Sequence, residues 1–274
     1  MALFKSNRSQ PTLGQHPFSE LPLILASGVG RSGTTVLRNC LAAHPAVASY
    51  NHECNYIFEL MRAVTLHIER SPEPAPAGKA DFLQLHRRAL LELYWAQADW
   101  KNPQKYSALS TYSMLDPRAA IGLKEVFPRL AICYIVRNGI EVVSSFCSFE
   151  AFQHLSFEQV CKLWALRHDM FQYQSSREHV FLFRHHWMLD QPDRLKQEMS
   201  DAFGSIGMTF HDDCLTPLAK QFHPTRFSGE SRDAARDPAQ RVDRWKLWTD
   251  DQRSTFATVC GEAMAAYGYE IPWI

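Results

Sequence analysis

The chain has 274 residues, of which 46% are apolar, and it carries 29 basic and 29 acidic side chains. This length and composition can bury the core of one large domain, so wholesale disorder is excluded. Because the charges balance, an overall attraction to nucleic acid or to an anionic membrane is excluded as well. An anionic ligand would therefore need a local binding site.

The cysteines and the N-terminal residues bear on the compartment. The seven cysteines are scattered and contain no Cys-x-x-Cys pair, which is typical of reduced thiols. Residues 1–20 are polar and lack the apolar stretch of a signal peptide, and no apolar run reaches the roughly 20 residues of a membrane span. We expect a flexible leader over residues 1–20, a single domain over residues 21–274 and a cytoplasmic location.

Regular structure begins with a strand, a glycine-rich turn and a helix. Leu21–Ser27 is an apolar run of strand length, and residues 28–33 form the turn. Helical spacing follows over Thr34–Ala43. Two further helices are predicted over residues 55–70 and 81–98.

In the second half of the chain, short apolar strands alternate with helices. Strands are predicted over Ala131–Val136 and Val180–Phe183. Helices are predicted over residues 140–149, from Ser156 to about residue 175, from Pro192, and from Thr249 to Gly268. This alternation predicts an α/β fold of the phosphate-loop (P-loop) type, a parallel sheet flanked by helices.

The first turn has the pattern of a phosphate-binding loop. The sequence Gly28-x-x-x-x-Gly33-Thr34-Thr35 follows a strand and opens a helix, so backbone N–H groups and the helix dipole converge on one point. The predicted contacts with a phosphate are Gly30, Arg31, Ser32, Gly33, Thr34 and Thr35. The alternative is an ordinary strand-to-helix turn whose glycines serve packing.

One position departs from the loop of ATP-binding proteins. Those loops carry a lysine where this chain has Thr34, and here the cation stands earlier, at Arg31. A kinase would therefore lack its usual charge on the terminal phosphates. Arg31 offers a forked guanidinium suited to phosphate or sulfate oxygens.

A second cation leaves the next buried strand. Arg137 directly follows Ala131–Val136, at the carboxyl end where open α/β sheets bind ligands. Ser145 lies eight residues on, about two helical turns away, so its hydroxyl can face the same anion. The alternative is a strand-end arginine bonded to helix carbonyls and an ordinary helical serine.

The residues GVGRSGTTVLRNCLAAHP, from Gly28 to Pro45, resemble the 5′-phosphosulfate loop and following helix of the sulfotransferases that use 3′-phosphoadenosine 5′-phosphosulfate (PAPS). The Arg-Ser-Gly-Thr-Thr sequence is similar to the branch with tyrosylprotein sulfotransferases and many bacterial enzymes. Arg137 and Ser145 resemble the family's 3′-phosphate motif. The resemblance implies the sulfotransferase fold and transfer of a sulfuryl group from PAPS to a hydroxyl or amine. It also implies release of 3′-phosphoadenosine 5′-phosphate (PAP), with no metal required.

The resemblance also assigns further nucleotide contacts. Ser228 and Arg232 lie in the irregular segment where the family places a loop over the nucleotide, and Arg244 lies in a similar Arg-Trp-Lys stretch. His185 aligns with a family tyrosine near the adenine.

The catalytic residues follow from the same resemblance. A family glutamate proposed as the general base matches Glu53 with a one-residue gap, whereas ungapped alignment matches His52. Either residue could instead serve the start of the next helix. Arg31 would stabilise charge on the transferring group, and Lys124 resembles a family lysine that precedes the 3′-phosphate strand.

Two other functions stay open, namely a P-loop kinase or phosphotransferase and a non-catalytic PAP-binding protein on the same fold. The acceptor would be a small molecule, a carbohydrate or a peptide, with no nucleic acid involved. Residues 55–120 do not match the family and are expected to contact the acceptor.

Overall fold

The computed structural model describes residues 22–53, 55–71, 78–95, 108–112, 115–167, 170, 172–173, 178–221 and 243–274. The predicted leader over residues 1–20 lies outside these ranges. The same holds for the irregular segment that contains the site candidates Ser228 and Arg232.

Five strands form one parallel sheet in the order β2-β3-β1-β4-β5 within the described residues. The strands are β1 (Leu23–Gly28), β2 (Val47–Glu53), β3 (Ala108–Tyr112), β4 (Leu130–Val136) and β5 (Val180–Arg184). The predicted α/β fold with a parallel sheet flanked by helices is confirmed.

Helices connect the strands and cover both faces of the sheet. They are α1 (Thr34–Ala42), α2 (Asn55–Arg70), α3 (Lys79–Trp95), α4 (Pro117–Val126), α5 (Gly139–Cys147), α6 (Phe157–Ala165), α7 (Trp187–Asp190), α8 (Pro192–Ser205), α9 (Thr216–Gln221) and α10 (Asp250–Ala266). In the described part of the chain, no helix is both long and apolar enough to cross a bilayer.

Alternating side chains of β1 pack into two hydrophobic cores, one on each face of the sheet. Leu23 and Leu25 pack with α2, α4, α5, α6 and α10, whereas Ile24 and Ala26 pack with α1 and α8. This division follows from the period of two along a strand. Because both faces are covered, β1 and β4 are buried throughout and are recognisable from sequence as continuous apolar runs.

The sequence analysis missed two of the described strands, β2 and β3, and three of the described helices, α4 and the short α7 and α9. The sequences of β2, VASYNHE, and β3, ALSTY, mix polar with apolar residues and give no clear apolar run. The backbone of Glu53 ends β2, and α2 begins at Asn55. Glu53 therefore lies at the end of a strand, which the sequence analysis did not predict.

The register brings the strand ends together. Gly28 pairs with Ile135 across β1 and β4, and Val136 pairs with Arg184 across β4 and β5. Neighbouring strands lie about 4.8 Å apart. The residues that follow these three strands consequently meet at one edge of the sheet.

Candidate active site

The glycine-rich turn leaves β1 and leads directly into α1. Gly28 and Gly33 have φ angles of 152° and 100°. A Cβ on Gly28 would lie 2.5 Å from the backbone oxygen of Ile135, so a side chain there would collide with β4. Gly33 takes the left-handed conformation before α1, and its carbonyl accepts from Leu37 N at 3.0 Å. The free N–H groups at the start of α1 thus face the edge of the sheet.

Arg31 stands at the tip of this turn. Its φ of 66° is uncommon for a residue other than glycine, and such backbone is concentrated at functional sites. The Arg31 Nε donates to Ser145 Oγ at 3.0 Å, and its guanidinium lies 4.7 Å from the centre of the Phe149 ring. Both partners follow from β4 through α5, so Arg31 is held by the second predicted anion motif.

Arg137 joins the two motifs from the other side. One of its terminal nitrogens, Nη1, donates to the backbone oxygen of Arg31 at 3.1 Å, and its Nε donates to Glu141 Oε2 at 2.8 Å. Burial and the nearby Arg137 cation lower the pKa of the Arg31 guanidinium. Because the two cations repel each other, an anion bound between them would be stabilised.

A buried hydroxyl supports ligand binding at the turn. Ser32 is 1% exposed, and its Oγ has no hydrogen-bond partner among the described groups. A buried polar atom without a partner costs about 1–3 kcal/mol, so a ligand oxygen there would remove a real penalty. The turn therefore fits a phosphosulfate or phosphate group on an observation independent of its glycines. No cluster of three His, Cys, Asp or Glu side chains in the described ranges could hold a metal ion.

Comparison with models of protein families shows to which family the chain belongs. A model of the sulfotransferase family matches residues 22–204, more than half of the chain. The chain belongs to the sulfotransferase family. No curated protein sequence matches the chain significantly.

Solved sulfotransferase domains share the fold. The sulfotransferase domain from the curacin biosynthetic pathway has a TM-score of 0.52 and 16% identity, covering 92% of this chain and 100% of that one. The sulfotransferase domain of the Synechococcus PCC 7002 olefin synthase has a TM-score of 0.52 and 16% identity, covering 96% and 98%. At this identity the likeness shows the sulfotransferase fold.

Within the sulfotransferase site, both candidates for the general base lie on β2. The backbone of His52 and Glu53 forms the carboxyl end of this strand, and Glu53 pairs with Tyr112 of β3. Their side chains lie outside the described part of the structure. Because β2 is parallel to β1, its carboxyl end faces the same edge as the loop. Both assignments stay predictions.

The predicted role of Lys124 does not agree with its position. Its Nζ donates to the backbone oxygen of Pro128 at 2.7 Å, just before β4 begins. That bond places Lys124 at the amino end of the sheet, whereas the loop and Arg137 follow carboxyl ends. This position does not support the catalytic role that the sequence similarity suggested, and that role stays a prediction.

His185 also differs from expectation. It is 8% exposed, and its ring lies against the loop, with Cδ2 2.8 Å from where a Cβ on Gly33 would be. A platform for adenine needs an accessible ring face, and little of His185 is accessible, so its contact with adenine stays a prediction. Its backbone N donates to Val136 O at 2.9 Å, which fixes this packing.

Three side chains near the site were not singled out from sequence. Arg184 ends β5 beside Val136, Glu141 binds Arg137, and Tyr269 follows α10 near Arg184. A cation at the end of the third predicted strand was a visible signal for Arg184. The approach of Tyr269 to Arg184 depends on how α10 packs, which the sequence alone does not predict. Arg244, predicted to bind the nucleotide, lies in a short 3-10 helix that packs against α5.

Proposed function

We propose that this sulfotransferase uses PAPS as donor and transfers its sulfuryl group to a hydroxyl or amine of an acceptor. The observation that carries the proposal is that the two predicted anion-binding motifs contact each other at one site. Arg31 of the loop binds Ser145, and Arg137 binds the carbonyl of Arg31. A nucleotide with anionic groups at both the 5′ and 3′ positions suits such a pair of motifs.

Each motif would hold one end of the donor. The N–H groups of the loop and of the α1 start, with Ser32, Thr34 and Thr35, would bind the 5′-phosphosulfate. Arg137 and Ser145 would bind the 3′-phosphate, which requires Ser145 to share its hydroxyl between that group and Arg31. Arg244, Ser228 and Arg232 are proposed as further contacts with the nucleotide.

The chain's own residues supply positioning and charge. When bound, PAPS provides an activated sulfuryl group that can be transferred in line through a loose transition state. Arg31 stabilises negative charge on the transferring group from a fixed position, since Ser145 and the Phe149 ring hold its guanidinium. Glu53, or else His52, accepts the proton of the acceptor.

The structure offers less support for kinase chemistry. Thr34 stands where a P-loop kinase has its lysine, and β4 is followed by the cation Arg137 rather than by a carboxylate for Mg²⁺. A non-catalytic PAP-binding protein would share the donor site but would not use a base on β2.

Thermal unfolding with different nucleotides separates these functions. A ligand at 100 times its Kd stabilises a protein by about 2.7 kcal/mol. We expect PAP to raise the melting temperature clearly and ATP with Mg²⁺ to raise it little. Incubation with labelled PAPS and an acceptor library, read by mass spectrometry, should then give a labelled acceptor. A larger shift with ATP and Mg²⁺ would contradict the donor assignment, and PAP binding without any transfer would favour the non-catalytic alternative.

A further inference from the structure

The segment after α10 reaches the carboxyl edge of the sheet. Gly268, with a φ of 74°, turns the chain, and Tyr269 N donates to Met264 O at 2.8 Å. The carbonyl of Tyr267 accepts a hydrogen bond from Arg184, whose guanidinium lies 5.8 Å from the centre of the Tyr269 ring. This C-terminal turn is thereby fixed to the end of β5.

Arg184 lies beside the 3′-phosphate motif. It pairs in register with Val136, the residue before Arg137, on a neighbouring strand about 4.8 Å away. Arg31 binds Ser145 and Arg137 binds Glu141, so three arginines and one paired carboxylate belong to the described segments that follow β1, β4 and β5. The surplus of positive charge at this edge favours an anion with more than one negative charge.

Tyr269 adds a hydroxyl donor to the same place. Its side chain is partly buried, and its hydroxyl interacts with Arg184, with Glu141 and Arg137 close enough to act on it electrostatically. Burial raises the pKa of the Tyr269 hydroxyl and Arg184 lowers it, with a net rise, so the group is protonated near neutral pH. It can therefore donate a hydrogen bond to an anionic oxygen.

We propose that Arg184 and Tyr269 belong to the donor site and bind the 3′-phosphate of the nucleotide together with Arg137. The inference rests on the proposed function, since it assigns additional residues to the same nucleotide. This assignment gives a reason for the hydrogen bond between the C-terminal turn and β5. The turn completes a phosphate-binding site in addition to packing against the core. Neither residue lies in the loop or in the Arg137–Ser145 motif.

Calorimetry with PAP and AMP tests this assignment, because the two nucleotides differ in the 3′-phosphate alone. In Arg184→Gln, loss of one charged hydrogen-bond partner should weaken PAP binding by about 10-fold or more. In Tyr269→Phe, loss of a hydroxyl donor should weaken it by about 3–10-fold. The affinity for AMP should change by less than about twofold in both variants, because AMP makes neither contact.

Tyr267→Phe is the matched control. The Tyr267 hydroxyl donates to the backbone oxygen of Arg167 at 3.1 Å, and the Tyr134 hydroxyl donates to the same oxygen at 3.1 Å. This carbonyl keeps a partner in the variant, so the ratio of PAP to AMP affinity should equal that of the wild type.

The possible outcomes distinguish a failure of the Arg184 and Tyr269 assignment from a failure of the proposed PAPS donor. A wild-type protein that binds PAP and AMP equally would overturn the proposed donor itself. A wild-type preference for PAP that is unchanged in Tyr269→Phe would overturn this inference alone. If Arg184→Gln fails to fold, Tyr269→Phe decides, because it keeps the ring and its packing.

Discussion

The proposed donor side and the proposed acceptor side of this site are built on different kinds of strand. On the donor side, β1 and β4 are buried along their whole length, and a hydrogen bond from Arg137 to Arg31 O joins the segments that follow them. On the acceptor side, β2 is an edge strand whose register against β3 shifts between Ser49 and Glu53. Buried parallel strands fix backbone positions, whereas an irregular edge strand can redirect its side chains. Donor binding and acceptor activation should therefore respond to different substitutions.

The largest effect is expected on the acceptor side. Glu53→Gln keeps the shape of the side chain and removes its basicity, which should lower the rate of transfer by about 10²–10⁴. Donor binding should hardly change, because a carboxylate makes no favourable contact with an anionic donor. Single-turnover transfer, measured together with PAP affinity, checks both statements.

His52→Asn is the companion to that experiment. If this variant alone loses turnover, the base is His52, and the ungapped alignment was correct. Full activity in both variants would show that the general base does not lie on β2. It would also contradict the proposed difference between the donor side and the acceptor side.

On the donor side, Gly28→Ala should act through the backbone. The new Cβ would lie 2.5 Å from Ile135 O at a φ of 152°, so the variant should lose about 3 kcal/mol of unfolding free energy. PAP and ADP should bind more weakly to the same degree, since the loop serves both. Urea unfolding with nucleotide calorimetry measures these changes.

Gly261→Ala provides the control for the glycine experiment. This glycine lies inside α10, and a Cβ there has nothing within 4 Å. Alanine should stabilise the helix by up to about 1 kcal/mol and leave nucleotide binding unchanged. Equal destabilisation by both substitutions would contradict the special role of the loop.

A smaller and more selective effect is expected at Arg137. Arg137→Ala should weaken PAP binding by about 1.5–3 kcal/mol, the range for a hydrogen bond to a charged group. ADP lacks the 3′-phosphate and should lose little. Arg129 precedes β4 and donates to Ile206 O at 3.0 Å, so Arg129→Ala should leave both affinities intact. An equal loss for PAP and ADP in Arg137→Ala would make Arg137 merely structural.

The smallest effect concerns Phe149, which we expect to position Arg31. Phe149→Leu removes a cation–π contact of about 0.5–1 kcal/mol, which corresponds to roughly a two- to fivefold lower kcat. KM for the donor should stay constant, and Phe149→Tyr should restore kcat because it keeps the ring. A change in KM alone would show that Phe149 contacts a substrate instead.

The sequence predicted β1, the glycine turn, α1 and β4 well because their signals are local. A buried strand, a glycine turn and a helix stand next to one another along Leu23–Ala42, and so does the passage from β4 to Arg137. The β2 strand lacked an apolar run, so its carboxyl end and the true setting of Glu53 were missed.

Long-range packing explains the contacts that the sequence did not predict. Lys124 faces Pro128 O, and His185 lies beneath Gly33, because of how helix ends and β5 pack. The approach of Tyr269 to Arg184 likewise joins residues far apart in the chain. Such contacts leave no periodic signal in a single sequence.

The central claim is that one site binds anionic groups at both ends of a nucleotide. Calorimetry of the wild-type protein with PAP and with ADP tests it most directly. We expect PAP to bind at least tenfold more tightly, a difference of about 1.4 kcal/mol. Equal affinities for PAP and ADP would contradict a site that recognises the 3′-phosphate.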